Sequence, residues 1–198
     1  MRALTLASPV LVGHSMGGVT VALVARRARV APSGVVLVDP TFLTPARQRE
    51  VHEGDAAARH AASLRLTDDE GIADLRARHS RRTEELARLL WRARRATRPV
   101  AFDVLVPPAP DHHELVSALG VPSLVVVGED ESVVEAAVLD EIRRVRPETR
   151  VEVVAGAGHG VPFDRPGRLA ALVRDFLAAL DETRAAAAQS EAIIQRTP

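Results

Sequence analysis

Apolar positions along this chain fall into two kinds of pattern. Short runs at Val10 to Val12, Val35 to Val38, Ser123 to Val127 and Arg150 to Val154 are each followed closely by turn-forming residues: Gly13, Asp39-Pro40, Gly128 and Gly156. Runs of that length and flanking predict strands rather than helices. The first three are continuous rather than alternating, which predicts a parallel sheet covered on both faces. The second pattern has helical spacing. It runs from Gly17 to about Arg29 through Val21, Leu23 and Val24, and from Pro166 through Leu169, Leu172, Val173, Phe176, Leu177 and Leu180.

Between the second and third strands lies a different stretch, Thr44 to Leu119, rich in Arg, Ala, Leu and Glu and mostly helical in pattern. Thr67-Asp68-Asp69-Glu70 has capping-box spacing and predicts a helix start. Ser132-Val133-Val134-Glu135 has the same spacing and predicts a helix to about Val145. Pro99, Pro107, Pro108 and Pro110 predict turns, and Asp111 to Leu119 one more short helix. From Asp181 the chain is polar and Ala-rich, which reads as a fraying tail. The alternation of strands and helices predicts an α/β fold. Its core comprises residues 1–43 and 120–181, with a helical insertion at 44–119 and a tail at 182–198. The site is then expected at the carboxyl ends of the strands, where the turn at Ser15, Asp39, the loop from Gly128 to Glu131, and Gly158-His159 all lie.

Composition narrows the chemistry. The 198 residues suit one domain, and 46% hydrophobic with 26% charged residues is ordinary for a globular chain. All 26 basic residues are arginine, balanced by 26 acids, so no net charge draws the chain toward nucleic acid or an acidic membrane. With no cysteine there is no disulfide, thiolate metal site or cysteine nucleophile, and a cytoplasmic location fits. No apolar run has the length of a membrane span. Nine arginines from Arg76 to Arg98 have almost no aromatics among them and follow the acids Asp68, Asp69, Glu70 and Asp74, so they read as a solvated helix face, not a nucleic-acid surface. Asp111-His112-His113-Glu114 has metal-ligand residue types, but adjacent helical residues diverge, so no metal is expected.

Gly13-His14-Ser15-Met16-Gly17, set between a strand and a helix, carries the chemistry. Small residues around a sharp turn let the chain pass closely, and the turn holds the serine hydroxyl above the sheet. The next backbone N–H, that of Met16, lies at a helix N-terminus and suits an oxyanion. A serine nucleophile needs a base. His159, between Gly158 and Gly160 after the last strand, is the candidate.

Val10 to Gly18 resembles the nucleophile elbow of the α/β-hydrolase superfamily. Val121 to Glu131 resembles its acid-bearing strand and loop, and Val154 to Val161 its histidine loop. The likeness covers nearly the whole chain and implies an α/β-hydrolase-like parallel sheet with helices on both faces. It places the acid three residues after Gly128, at Glu131, with Asp130 the alternative. It also implies that 44–119 caps the site. Leu89, Leu90, Trp91 and Phe102 are then candidates to face substrate, as are His14 and Phe42 near the elbow. Serine at the elbow implies acyl transfer without a cofactor: hydrolysis of esters and related acyl bonds of a small organic substrate, or of the carbon–carbon bonds of some diketones.

The same resemblance implies several strands ahead of the elbow, where this sequence has nine residues before Val10. Two expectations follow. Val10-Leu11-Val12 becomes an exposed apolar edge, which gives a homodimer a physical motive. The loop that supplies a second oxyanion N–H is also missing, and one such donor is worth on the order of 10² to 10³ in turnover. The alternative function is therefore a catalytically weak remnant acting as a binding protein.

Overall fold

The computed structural model describes residues 6–27, 32–105 and 111–194. The expected end of the first helix near Arg29, the turns at Pro107, Pro108 and Pro110, and the last four residues of the tail lie outside them. By chain contact the molecule divides into two units, Met1–Phe42 with Asp111–Pro198, and Leu43–Pro110.

The first unit is built on four strands: β1 (Val10–His14), β2 (Gly34–Val38), β3 (Ser123–Gly128) and β4 (Arg150–Val154). They run parallel in the order β1-β2-β3-β4. Every residue of β2 and β3 is buried, as their unbroken apolar runs require. Side chains alternate across a strand, so each run feeds two cores. Val35, Leu37, Val125 and Val127 face Ala22 of α1 (Met16–Arg27), Leu115 and Val116 of α6 (His112–Ser117), and Val138, Leu139 and Ile142 of α7 (Ala136–Val145). Val36, Val38, Leu124 and Val126 face Val161 of α8 (Val161–Asp164) and Leu172, Phe176 and Leu180 of α9 (Pro166–Ile194). Full burial of one such side chain contributes roughly 1.5–3 kcal/mol, so the two central strands anchor the unit. β1 lies at one edge, and its Val12 remains 55% exposed.

Three local expectations change. The helical insertion ends at Pro110, because α6 packs its Leu115 and Val116 into the sheet's core rather than with the inserted helices. Ser132 does not cap α7. That helix begins at Ala136 after Glu135, whose side chain makes no capping bond, and Ser132 is used elsewhere. Most of the expected tail is the continuation of α9, which runs unbroken to Ile194 on an Ala-rich sequence with no Pro or Gly between Gly167 and Ile194.

The second unit holds α2 (Pro45–Glu53), α3 (Ala56–Ser63), α4 (Asp68–Arg78), α5 (Glu84–Ala96) and a 3-10 helix (Pro99–Leu105). Its core is Ile72 and Leu75 of α4 with Ala87 and Trp91 of α5. A Cβ at Gly71 would run into the Trp91 indole, so α4 and α5 meet here only through glycine. Thr67 and Glu70 form the expected capping box. The arginines of α4 and α5 are largely exposed, with Arg76 and Arg88 on Glu84, Arg78 on Asp74 and Arg95 on Asp68.

Candidate active site

Ser15 occupies the tight turn between β1 and α1 at φ 57°, a left-handed conformation uncommon for a residue with a side chain. Its N–H donates to the Val38 carbonyl at 2.9 Å. Its own carbonyl accepts from Gly18 at 2.9 Å and Thr41 at 3.2 Å. The turn is thus tied to the end of the neighbouring strand on both sides. A Cβ on Gly13 would collide with the Gly17 carbonyl, and one on Gly18 would sit 2.7 Å from Pro40 Cβ. Gly17 itself faces open space, so the glycines that the turn's packing demands are Gly13 and Gly18. Met16 is the first residue of α1, where a backbone N–H has no partner within the helix.

His159 lies in the loop between β4 and α8. That loop passes directly over the end of β3: a Cβ on Gly128 would run into the Ala157 and Gly158 carbonyls. Asp130 N–H donates to Ala157 O at 2.8 Å, Gly156 N–H to Glu129 Oε2 at 3.1 Å, and Gly158 N–H to Asp164 Oδ2 at 3.1 Å. The imidazole so held reaches both ways, with Nε2 2.9 Å from Ser15 Oγ and Nδ1 3.2 Å from Asp39 Oδ1.

Asp39 follows β2, is fully buried, and has φ 40°. Burying a carboxylate is costly unless donors surround it. Here Oδ1 accepts from the Val133 N–H at 3.0 Å, the Ser132 hydroxyl at 3.1 Å and His159, while Oδ2 accepts from the Gly128 N–H at 3.1 Å. An ionised carboxylate only accepts, so Nδ1 carries the imidazole proton, and Nε2 is left with its lone pair toward the serine hydroxyl.

The partner of His159 is therefore Asp39 and not Glu131. Glu131 is exposed at φ 50°, and Asp130 is exposed with its N–H turned to Ala157. The end of β3 and the loop after it, expected to carry the acid, instead supply donors from Gly128, Ser132 and Val133 to an acid that directly follows β2. Sequence reasoning noted Asp39 as a strand-end residue without assigning it this place. The signal was an acidic residue closing a wholly apolar central strand, where only a strongly hydrogen-bonded carboxylate is tolerated.

Of the other expected pocket residues, Phe42 is buried in the core with Leu115 and Leu119, and Trp91 is buried in the second unit's own core. The Trp91 indole N–H donates to Asp68 at 2.9 Å. Both are occupied by packing, so neither is placed to face a ligand. Phe102 lines a cavity of about 650 Å³ inside the second unit, together with His60, Arg59, Arg78 and Arg94. His14 stands beside His159, with ring centroids 4.9 Å apart. His112 and His113 both approach Glu141, at 2.9 and 3.9 Å. No group of three or more His, Asp or Glu side chains arranged to hold a metal ion occurs among the described residues, nor any helix long and apolar enough to cross a membrane.

The chain is 28% identical over 184 residues to the sn-1-specific diacylglycerol lipase ABHD11 of Mus musculus, covering 85% of this chain and 59% of the relative. A 71-residue stretch, 36% of this chain and 21% of the relative, is 31% identical to the monoacylglycerol lipase ABHD6 of Mus musculus. Among solved structures, E-2-(acetamidomethylene)succinate hydrolase superposes with a TM-score of 0.68 at 23% identity, over 89% of this chain and 69% of its own. The esterase RhEst1 from Rhodococcus sp. ECU1013 superposes with a TM-score of 0.64 at 26% identity, over 88% and 67%. Residues 2–172 match the alpha/beta hydrolase family, and the chain belongs to that family.

Proposed function

We propose that this protein is a serine hydrolase that cleaves an ester or related acyl bond of a small organic substrate. The observation that carries the reading is the continuous hydrogen-bonded chain from Ser15 Oγ through His159 to buried Asp39, at 2.9 and 3.2 Å. In this reading His159 Nε2 takes the hydroxyl proton as Ser15 Oγ bonds to the acyl carbon. The carbonyl oxygen becomes an oxyanion, for which the Met16 N–H at the start of α1 is a donor. The imidazolium, stabilised by Asp39, returns its proton to the leaving alkoxide, which departs as the alcohol and leaves an acyl-serine. Water, deprotonated by the same imidazole, then releases the acid and restores Ser15. No cofactor enters any step.

Similarity to lipases and esterases supports carboxylic esters as the substrate class. The helical unit is inserted between β2 and α6, which supports reading it as a substrate-selecting cap. A fluorophosphonate probe tests the nucleophile. Ser15 is expected to be labelled in the wild type and not in Ser15→Ala. Absence of labelling, or equal labelling of the variant, would overturn the proposal.

A further inference from the structure

We propose that His14 is a positioning residue that clamps the His159 loop to the nucleophile turn. The inference rests on the serine-hydrolase reading above and concerns how that site is held together. His14 is the last residue of β1 and immediately precedes Ser15. Its Nε2 lies 2.8 Å from the backbone carbonyl of His159. A carbonyl oxygen can only accept, so His14 donates there and carries its proton on Nε2. Its ring also lies against the His159 ring, with centroids 4.9 Å apart and planes inclined by 33°. The Phe163 ring makes a T-shaped contact with it, with centroids 6.3 Å apart and planes at 89°.

These contacts answer a mechanical problem. Ser15 and His159 are 144 residues apart in sequence and sit on different loops, yet proton transfer needs their atoms within hydrogen-bond reach. The Ser15–His159 bond cannot serve as the tether, because the reaction breaks it. Asp39 holds the far nitrogen of the imidazole, and the loop backbone is tied to Glu129, Asp130 and Asp164, none of which belongs to the nucleophile turn. His14 fixes the backbone of His159 itself, from the residue adjoining the nucleophile. Displacing one turn therefore displaces the other with it. Neither nitrogen of His14 takes part in the steps proposed above, and the bond it makes is to the backbone of the base.

Two substitutions separate the donor from the ring. His14→Phe keeps an aromatic ring against His159 and Phe163 and removes the donor. His14→Gln restores an N–H near the Nε2 position and removes the ring. His14→Phe is expected to lower kcat for an aryl ester about tenfold with KM nearly unchanged, and to slow fluorophosphonate labelling of Ser15 in parallel. His14→Gln is expected to recover most of the loss. Hydrogen exchange across residues 155–164 supplies a readout independent of turnover, with faster exchange expected in His14→Phe than in His14→Gln. Wild-type labelling that fails at Ser15 would refute the hydrolase reading, while exchange would still decide the clamp. Exchange in His14→Phe equal to wild type would overturn the clamp. So would labelling equal to wild type, or a His14→Gln variant no better than His14→Phe.

Discussion

Replacing Asp39 by Asn, beside Glu131→Gln, separates the acid bonded to His159 from the acid that the family resemblance implies. The amide must put its NH2 at one of two carboxylate positions. At the Oδ1 position it would face the Val133 N–H and the His159 Nδ1–H, and it would lose the acceptor for the Ser132 hydroxyl. At the Oδ2 position it would face only the Gly128 N–H. The second arrangement orphans one buried donor instead of three, so it is the one expected, with a stability loss of about 1–3 kcal/mol. It also leaves the imidazole tautomer intact. The catalytic loss then comes from the missing charge opposite the imidazolium. A unit charge pair at about 4 Å in an effective dielectric of about 20 is worth about 4 kcal/mol, and the 3.2 Å separation here is closer. At about 1.4 kcal/mol per decade, Asp39→Asn should lower kcat/KM by about three decades. Glu131→Gln should stay within about twofold, as surface substitutions usually do. Hydrolysis of an aryl ester, followed for both variants after matching their folded fractions by circular dichroism, measures the contrast. A Glu131→Gln enzyme as impaired as Asp39→Asn would refute the assignment, and so would an Asp39→Asn enzyme within tenfold of wild type.

Two further outcomes are expected of the fold itself. Gly17→Ala places its Cβ in open space within α1 and should keep or raise the melting temperature, worth up to about 1 kcal/mol, whereas Gly13→Ala drives its Cβ into the Gly17 carbonyl and should abolish both folding of the elbow and probe labelling. Thr67→Ala removes the capping box of α4 and should cost the second unit about 1 kcal/mol in urea unfolding at neutral pH. The Glu70 carboxyl is held below its ordinary value of 4.5 by the Thr67 backbone N–H and then by the Thr67 hydroxyl. The Thr67→Ala chain keeps the larger, backbone, bond. Only the share carried by the Thr67 hydroxyl on the Glu70 carboxylate is therefore present above that ordinary value and lost as pH falls through the lowered one, and the gap between wild type and Thr67→Ala should narrow in acid.

The limits of sequence reading here have a physical cause. Strands, their parallel sense and their double coverage were legible because apolar runs without polar interruption can be satisfied only with both faces buried, as β2 and β3 are. The serine turn was legible because its steric demands are local: Gly13, Ser15 and Gly18 are neighbours in sequence and in space. Asp39 was less legible because its place in the site depends on three donors from Gly128, Ser132 and Val133, about ninety positions away. The spacing of Ser132 and Glu135 fits a helix cap equally well, and local spacing cannot say that Ser132 is engaged by a carboxylate. Once Asp39 is seen, the two departures explain each other. Ser132 is held over the buried acid, where its oxygen accepts from the Val134 N–H ahead of Ala136, and α7 accordingly begins with no side-chain cap. A loop that converges its donors on the acid of β2 has a consequence for its own carboxylates. Drawing one of them to His159 would set a second negative charge beside fully buried Asp39, a like-charge cost that the exposed position of Glu131 avoids.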